Sequence, residues 1–178
     1  MANSKCAFVE RGYGQVEPNH LSAQRNGQIY AQLPMGVDML ENGQFAKYDY
    51  KEGKVNMDGA GEWMLVYNAV KVYDDVKGEY EADYAMIKPA EGTAGAPIIG
   101  VSTDIVPRLF KTAVGDIFTT NTIKANAADV ALGDVLYVGD DGYLTETKGT
   151  NSSDMEWQVV KVYTMPDGQK GVKIMRIA

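Results

Sequence analysis

The chain has 178 residues, 45% of them hydrophobic, and a formal net charge of −7. This acidic balance argues against a nucleic-acid-binding protein, which needs clustered Lys and Arg, and no apolar run reaches the ~18 residues that would span a bilayer. A single cysteine, Cys6, excludes an intrachain disulfide, so the hydrophobic core must stabilise the fold.

Residues 1–36 are polar and glycine-rich, and their hydrophobic residues follow no regular period. Within them, residues 28–33 have the composition of a short strand that Pro34 ends. We interpret residues 1–36 as an extended N-terminal arm. Such an arm can add a strand to the sheet edge of a neighbouring molecule through main-chain hydrogen bonds.

A repeated set of short phrases divides the rest of the chain. In the first copy the phrases are Gly43-Gln44-Phe45-Ala46-Lys47-Tyr48, Glu52-Gly53-Lys54-Val55, Glu62-Trp63 and Val70-Lys71-Val72-Tyr73. In the second they are Gly133-Asp134-Val135-Leu136-Tyr137-Val138, Asp141-Gly142-Tyr143-Leu144, Glu156-Trp157 and Val160-Lys161-Val162-Tyr163. The alternation and the turn residues predict one β unit over 37–88 and a second over 131–178. We expect Trp63 and Trp157 to occupy equivalent places and to pack in a shared core.

The second unit contains the clearest hairpin signals. Asp-Gly pairs separate residues 135–138 from 143–145, and 159–163 from 172–177, as in tight β turns. The segment 89–130 between the units begins with a loop of small residues and two prolines. In it we predict helical turns over 103–111 and 125–129 and a strand over 116–121.

These patterns predict a mainly β fold, a small barrel or sandwich of short antiparallel strands, in one compact domain. No segment has helical periodicity over three turns.

Residues with reactive side chains are scarce. His20 is the only histidine and lies in a polar context, which does not favour a catalytic triad or a Cys6–His20 pair. The acidic residues between Asp74 and Asp83 lack the spacing of a calcium-binding loop and indicate a solvated turn. The sequence therefore predicts no catalytic residue, no metal ion and no cofactor.

Two groups of phrases are similar to those of one class of protein. The N-terminal phrases are Gly14-Gln15-Val16-Glu17-Pro18-Asn19-His20 and Gly27-Gln28-Ile29-Tyr30; the others are Gly115-Asp116-Ile117-Phe118 and Gly133-Asp134-Val135-Leu136. Together they resemble the head decoration, or auxiliary capsid, proteins of tailed bacteriophages. The resemblance implies a non-enzymatic protein of the virion, made in the bacterial cytoplasm. It also implies binding to the assembled lattice of the major capsid protein at the capsid surface, and self-association.

The N-terminal arm is the predicted partner-binding region, through a set of apolar, aromatic and basic residues. They are Phe8, Arg11, Tyr13, Val16, His20, Arg25 and Tyr30.

Three alternatives remain open. A tail, connector or head-fibre protein of the same particle would share this composition. A carbohydrate-binding module would instead expose the strand aromatics, which include Trp63, Trp157, Tyr67, Tyr73 and Tyr163. An enzyme built on His20 and Cys6 is the least favoured alternative.

Overall fold

The computed structural model describes residues 14–68, 85–87, 106–124, 130–150, 154–166 and 168–178, with the backbone alone for 85–87. Along these residues run β1 (Val16–His20), α1 (Ser22–Asn26), β2 (Ile29–Tyr30), β3 (Met39–Glu41), β4 (Phe45–Asp49), β5 (Lys54–Asn56), β6 (Met64–Val66), β7 (Ala85–Ile87), β8 (Leu109–Phe110), β9 (Ile117–Thr120), β10 (Val135–Val138), β11 (Leu144–Thr145), β12 (Glu156–Thr164) and β13 (Lys170–Arg176). No helix in this part of the chain is long and apolar enough to cross a membrane.

Two antiparallel sheets form a sandwich. One has the strand order β1-β9-β13-β12-β10-β11 and the other β2-β8-β6-β4-β5, while β3 and β7 form a separate pair. The sheets do not close into a barrel. The prediction of a mainly β fold is therefore confirmed, in its sandwich form.

The main core lies between the two sheets and is dominated by aromatic rings. The rings of Phe45 on β4 and Trp157 on β12 are 5.6 Å apart, and Phe118 on β9 packs edge-on against Trp157 at 5.1 Å. A second buried cluster, which includes Tyr48 and Leu109, covers the opposite face of the five-stranded sheet. Because both faces of that sheet are buried, the Met64–Val66 strand is apolar throughout.

The two repeats form the same arrangement of strands, one in each sheet. In the first copy β4 lies between β5 and β6, and in the second β10 lies between β11 and β12. An additional strand, β8 or β13, then extends each sheet beside the third strand of the unit. The described strands thus repeat one arrangement, as a fold built from two β units predicts, while the bounds 37–88 and 131–178 stay a prediction.

The two tryptophans are both buried, but their positions in the repeats differ. Gly43 donates its N–H to the carbonyl of Val66 at 2.9 Å, and Gly133 donates to Val159 at 2.8 Å, so these valines are equivalent. Val66 lies three residues after Trp63, whereas Val159 lies two residues after Trp157. The expectation that the tryptophans pack in the core is confirmed, and the expectation of equivalent places is wrong by one residue.

The structure confirms the predicted hairpins and the predicted strand but not the predicted helical turn over 103–111. Both hairpins of the second unit are present, as β10–β11 and β12–β13, and the strand over 116–121 is β9. The helical turn over 103–111 is wrong where it is described, because Leu109 and Phe110 form β8 between β2 and β6. Both side chains are fully buried, on opposite faces of the sheet, which an exposed helical turn would not allow. The predicted turn over 125–129 lies outside the described residues.

The described part of the predicted arm is integrated into the sandwich. β1 pairs with β9 in one sheet and β2 pairs with β8 in the other. Between them, Leu21 and Ala23 are buried in the main core. Residues 14–36 thus connect the two sheets, while residues 1–13 lie outside the described residues.

Candidate functional site

The groups considered for catalysis do not assemble into a site in the described chain. His20 is exposed at the end of β1, where its backbone lies opposite Ile117, and Cys6 lies outside the described residues. In the ranges that the structure describes, no group of three His, Cys, Asp or Glu residues could hold a metal ion.

The predicted binding residues of the arm separate into two groups. Val16 and Tyr30 are half-buried, and they pack against the main core and the second cluster, respectively. Their side chains therefore contribute to the sandwich itself. His20 and Arg25 are exposed, on β1 and in the last turn of α1, and are accessible to a partner. Phe8, Arg11 and Tyr13 lie outside the described residues.

Gly14 and Gln15, the first described residues, are held closely against residues 120–122. Gln15 donates its N–H to the side chain of Asn121 at 2.7 Å, and its carbonyl accepts a bond from the Thr120 hydroxyl at 2.7 Å. A β-carbon on the buried Gly14 would lie 2.2 Å from Thr122 Oγ1. This close packing fixes the position of Gly14 and Gln15.

A set of buried polar contacts, which we call the polar seam, joins the two repeats beside Gly14. The Tyr143 hydroxyl donates to the Glu41 carboxylate at 2.8 Å, and Gln44 Nε2 donates to the carbonyl of Asp141 at 2.8 Å. Phe45 also donates its N–H to the carbonyl of Gly142 at 2.7 Å. Sequence analysis did not predict this seam, because its residues occur in phrases that are typical of turns. Because its members are buried and bonded to one another, we assign the seam a structural role.

The Gly-Asp phrases behind the resemblance form one recurring turn. Asp116 and Asp134 each accept a bond from the N–H three residues before them, from Ala113 at 2.9 Å and Ala131 at 2.7 Å. The amide oxygen of Gln44 accepts the corresponding bond from Glu41 at 3.1 Å. The preceding glycine has a positive φ of 91° to 95° in all three turns. These phrases therefore start β4, β9 and β10.

The end of β12 lies at an edge of its sheet, while its partner β13 also pairs with β9 through Val172 and Lys173. We call residues 161–164 and 170–173 the outer hairpin. β10 pairs with β12 only up to Gln158, and on that side no described strand pairs with residues 160–164. Val162 lies opposite the buried Val172, so the two share a face, yet 53% of Val162 is exposed. The outer hairpin thus presents an apolar residue and a strand edge to solvent.

Lysines give the outer hairpin a positive charge. Lys161 and Lys173 lie directly opposite each other, and Lys170 is exposed at the start of β13. Directly opposed like charges destabilise a sheet by roughly 0.2–1 kcal/mol. Lys161 Nζ also lies 5.7 Å from the centre of the Tyr163 ring. This arrangement suits a negatively charged partner better than it suits the isolated fold.

Sequence reasoning assigned Val160-Lys161-Val162-Tyr163 to the repeated body and placed binding elsewhere. The sequence did indicate that this strand is exposed on one face, because a lysine between two valines is typical of a half-solvated antiparallel strand. The corresponding phrase of the first copy, at 70–73, lies outside the described residues.

The chain was compared with known proteins by sequence and by structure. No protein-family model, no curated protein and no solved structure matches it.

Proposed function

We propose that the chain is a non-enzymatic structural protein of a bacteriophage virion, a decoration protein that binds the assembled lattice of the major capsid protein. The observation that carries the proposal is the outer hairpin of an acidic protein, where the exposed Lys161 lies opposite the half-buried Lys173 on one face and the exposed Val162 lies on the other. The opposed lysines destabilise the isolated fold, and a partner with acidic groups would compensate for that cost.

The remaining structure is compatible with this role. The two Gly-Asp phrases of the resemblance start β9 and β10, in the same sheet as the outer hairpin. A rigid sandwich with a net charge of −7 favours solubility before assembly. Residues 1–13 precede the firmly held Gly14, and in this proposal they reach a neighbouring subunit.

A carbohydrate-binding role for the tryptophans is disfavoured. Trp63 and Trp157 are 3% and 0% exposed, so neither ring can stack on a sugar. A tail, connector or head-fibre protein could bind through the same outer hairpin. The experiment below distinguishes that location from the capsid lattice.

The experiment is an image reconstruction of the intact particle, with and without the protein. We expect density at every equivalent position of the lattice, with the outer hairpin against the capsid protein. Density at one vertex only would contradict decoration and favour the tail or connector. Deleting residues 2–13, which leaves β1 intact, tests the arm: lower occupancy would support it, and unchanged occupancy would remove its role.

A further inference from the structure

We propose that a tyrosine-lined pocket on the five-stranded sheet binds the cationic head group of a lysine or arginine side chain that a partner polypeptide presents. The pocket is lined by Tyr30, Tyr48, Tyr50, Gly61, Glu62 and Met64. It belongs to the other sheet from the outer hairpin, so the inference is independent of the proposed function.

Three tyrosines of the pocket are held at steep angles to one another. The rings of Tyr30 and Tyr48 are 6.0 Å apart and inclined at 76°, and those of Tyr48 and Tyr50 are 5.7 Å apart at 89°. The Tyr48 hydroxyl accepts a bond from the Gln32 N–H at 3.0 Å, which fixes the central ring. Tyr50 is 75% exposed, so its ring is accessible to a partner.

Two glycines place the carboxylate beside these rings. β-Carbons on Gly59 and Gly61 would lie 2.7 Å and 2.9 Å from the carbonyl oxygen of Tyr48, so only glycine lets the loop approach this closely. The chain then continues directly into Glu62. The Glu62 carboxylate is 3.0 Å from Lys111 Nζ, with both side chains well exposed. Because an exposed pair of this kind contributes little, a second cation can share the carboxylate with Lys111.

The size and charge of the pocket select the ligand class. Its volume is about 140 Å³, below the roughly 300 Å³ at which pockets for drug-sized ligands begin. It therefore suits a single head group. No basic residue in the described part of the chain lines it, and its one charged residue is acidic. The faces of aromatic rings attract cations, and Glu62, which is paired with Lys111, is the acidic residue of the lining.

The test uses side-chain analogues and their neutral counterparts of nearly equal shape. Butylammonium is compared with butan-1-ol, and methylguanidinium with methylurea, by the NMR shifts of the Tyr30 and Tyr50 ring signals. We expect the charged compounds to bind roughly 2- to 30-fold more tightly. Equal binding within a pair would overturn the proposal, because the pocket would then be merely apolar.

Three variants test the residues. Tyr50→Ala should weaken the preference for the cation, whereas Tyr50→Phe should retain it, because the ring face and not the hydroxyl makes the contact. Glu62→Gln should reduce cation binding, and Glu52→Gln, an exposed carboxylate outside the pocket, should not. Unchanged binding by Tyr50→Ala would contradict the assignment.

A short peptide tests the source of the cation. A Gly-Arg-Gly peptide should bind at least as tightly as methylguanidinium and more tightly than the same peptide with citrulline. Binding of methylguanidinium but not of the peptide would overturn the assignment to a partner's side chain.

Discussion

The carbonyl oxygen of Phe45 lies 2.0 Å from the point that a β-carbon on Gly142 would occupy. This contact joins the first strand of one repeat to the turn of the other, and Gly142 also has a positive φ of 78°. We expect Gly142→Ala to destabilise the fold by more than ~3 kcal/mol, since clash and backbone strain add. Chemical denaturation measures the loss.

Gly53 provides the matched control, because it occupies the corresponding turn of the first repeat. Its φ is 68°, but a β-carbon there would have no atom within 4 Å. Gly53→Ala should therefore cost only the strain of the backbone, about 1–2 kcal/mol. Equal losses at the two glycines would mean that the contact between the repeats does not matter.

Asp116 ties the start of α1 to the turn before β9. Its buried carboxylate accepts bonds from the Ser22 N–H at 2.8 Å, the Ser22 hydroxyl at 2.9 Å and the Ala113 N–H at 2.9 Å. Asp116→Asn should cost about 1–3 kcal/mol, because an amide cannot accept all three bonds. Thermal unfolding measures this. Asp134→Asn, at the equivalent but half-buried turn, should cost less.

The turn after β4 predicts a dependence on acid pH. N–H groups of Glu52 and Lys51 and the side chain of Asn56 donate to the Asp49 carboxylate and lower its pKa from the usual 3.8. A lowered pKa means that the stabilisation is present above pH ~3.8 and is lost as the pH falls below it.

We expect Asp49→Asn to unfold more easily than the natural chain at about pH 7 and to approach it at about pH 2. Urea denaturation at both pH values provides the measurement. Asp58→Asn, an exposed residue of the same region, is the control. A difference between the chains that does not shrink in acid would contradict the assignment.

The opposed lysines of the outer hairpin should lower the free energy of unfolding of the isolated protein. Lys161→Glu should stabilise the fold by roughly 0.2–1 kcal/mol, because it converts a like-charge pair into an opposite-charge pair with Lys173. Lys54→Glu should have the reverse effect, since Lys54 lies opposite Asp49 on β4. If both substitutions changed the free energy of unfolding in the same direction, cross-strand charge would not be the cause.

The β class and the second-unit hairpins could be predicted from sequence because local patterns specify them. The Asp-Gly turn between β10 and β11 and the alternation over Val135–Val138 carry that information in a few adjacent residues. The strand β8 could not be predicted this way, because its two residues pair only with β2 and β6, distant in sequence.

The candidate sites were less predictable for the same reason. The outer hairpin is exposed only because β10 ends its pairing at Gln158, a fact of tertiary structure. The tyrosine pocket likewise joins β2, β4 and the loop before β6. The one-residue offset of Trp63 shows how a matching phrase, Glu-Trp, can misalign two genuine repeats.

Capsid binding by charge-reversed protein tests the central claim most directly. The double variant Lys161→Glu, Lys173→Glu keeps a like-charge pair, so its stability should match that of the natural chain. The charge of the pair is reversed from positive to negative. The control, Lys51→Glu with Arg108→Glu, changes the net charge equally at exposed residues beside the other sheet.

The measurement is cosedimentation with capsids that lack the protein. We expect the outer-hairpin variant to bind at least about tenfold more weakly, with the difference reduced in high salt, and the control to bind as the natural chain does. Equal occupancy by all three proteins would contradict a capsid-binding role for the outer hairpin.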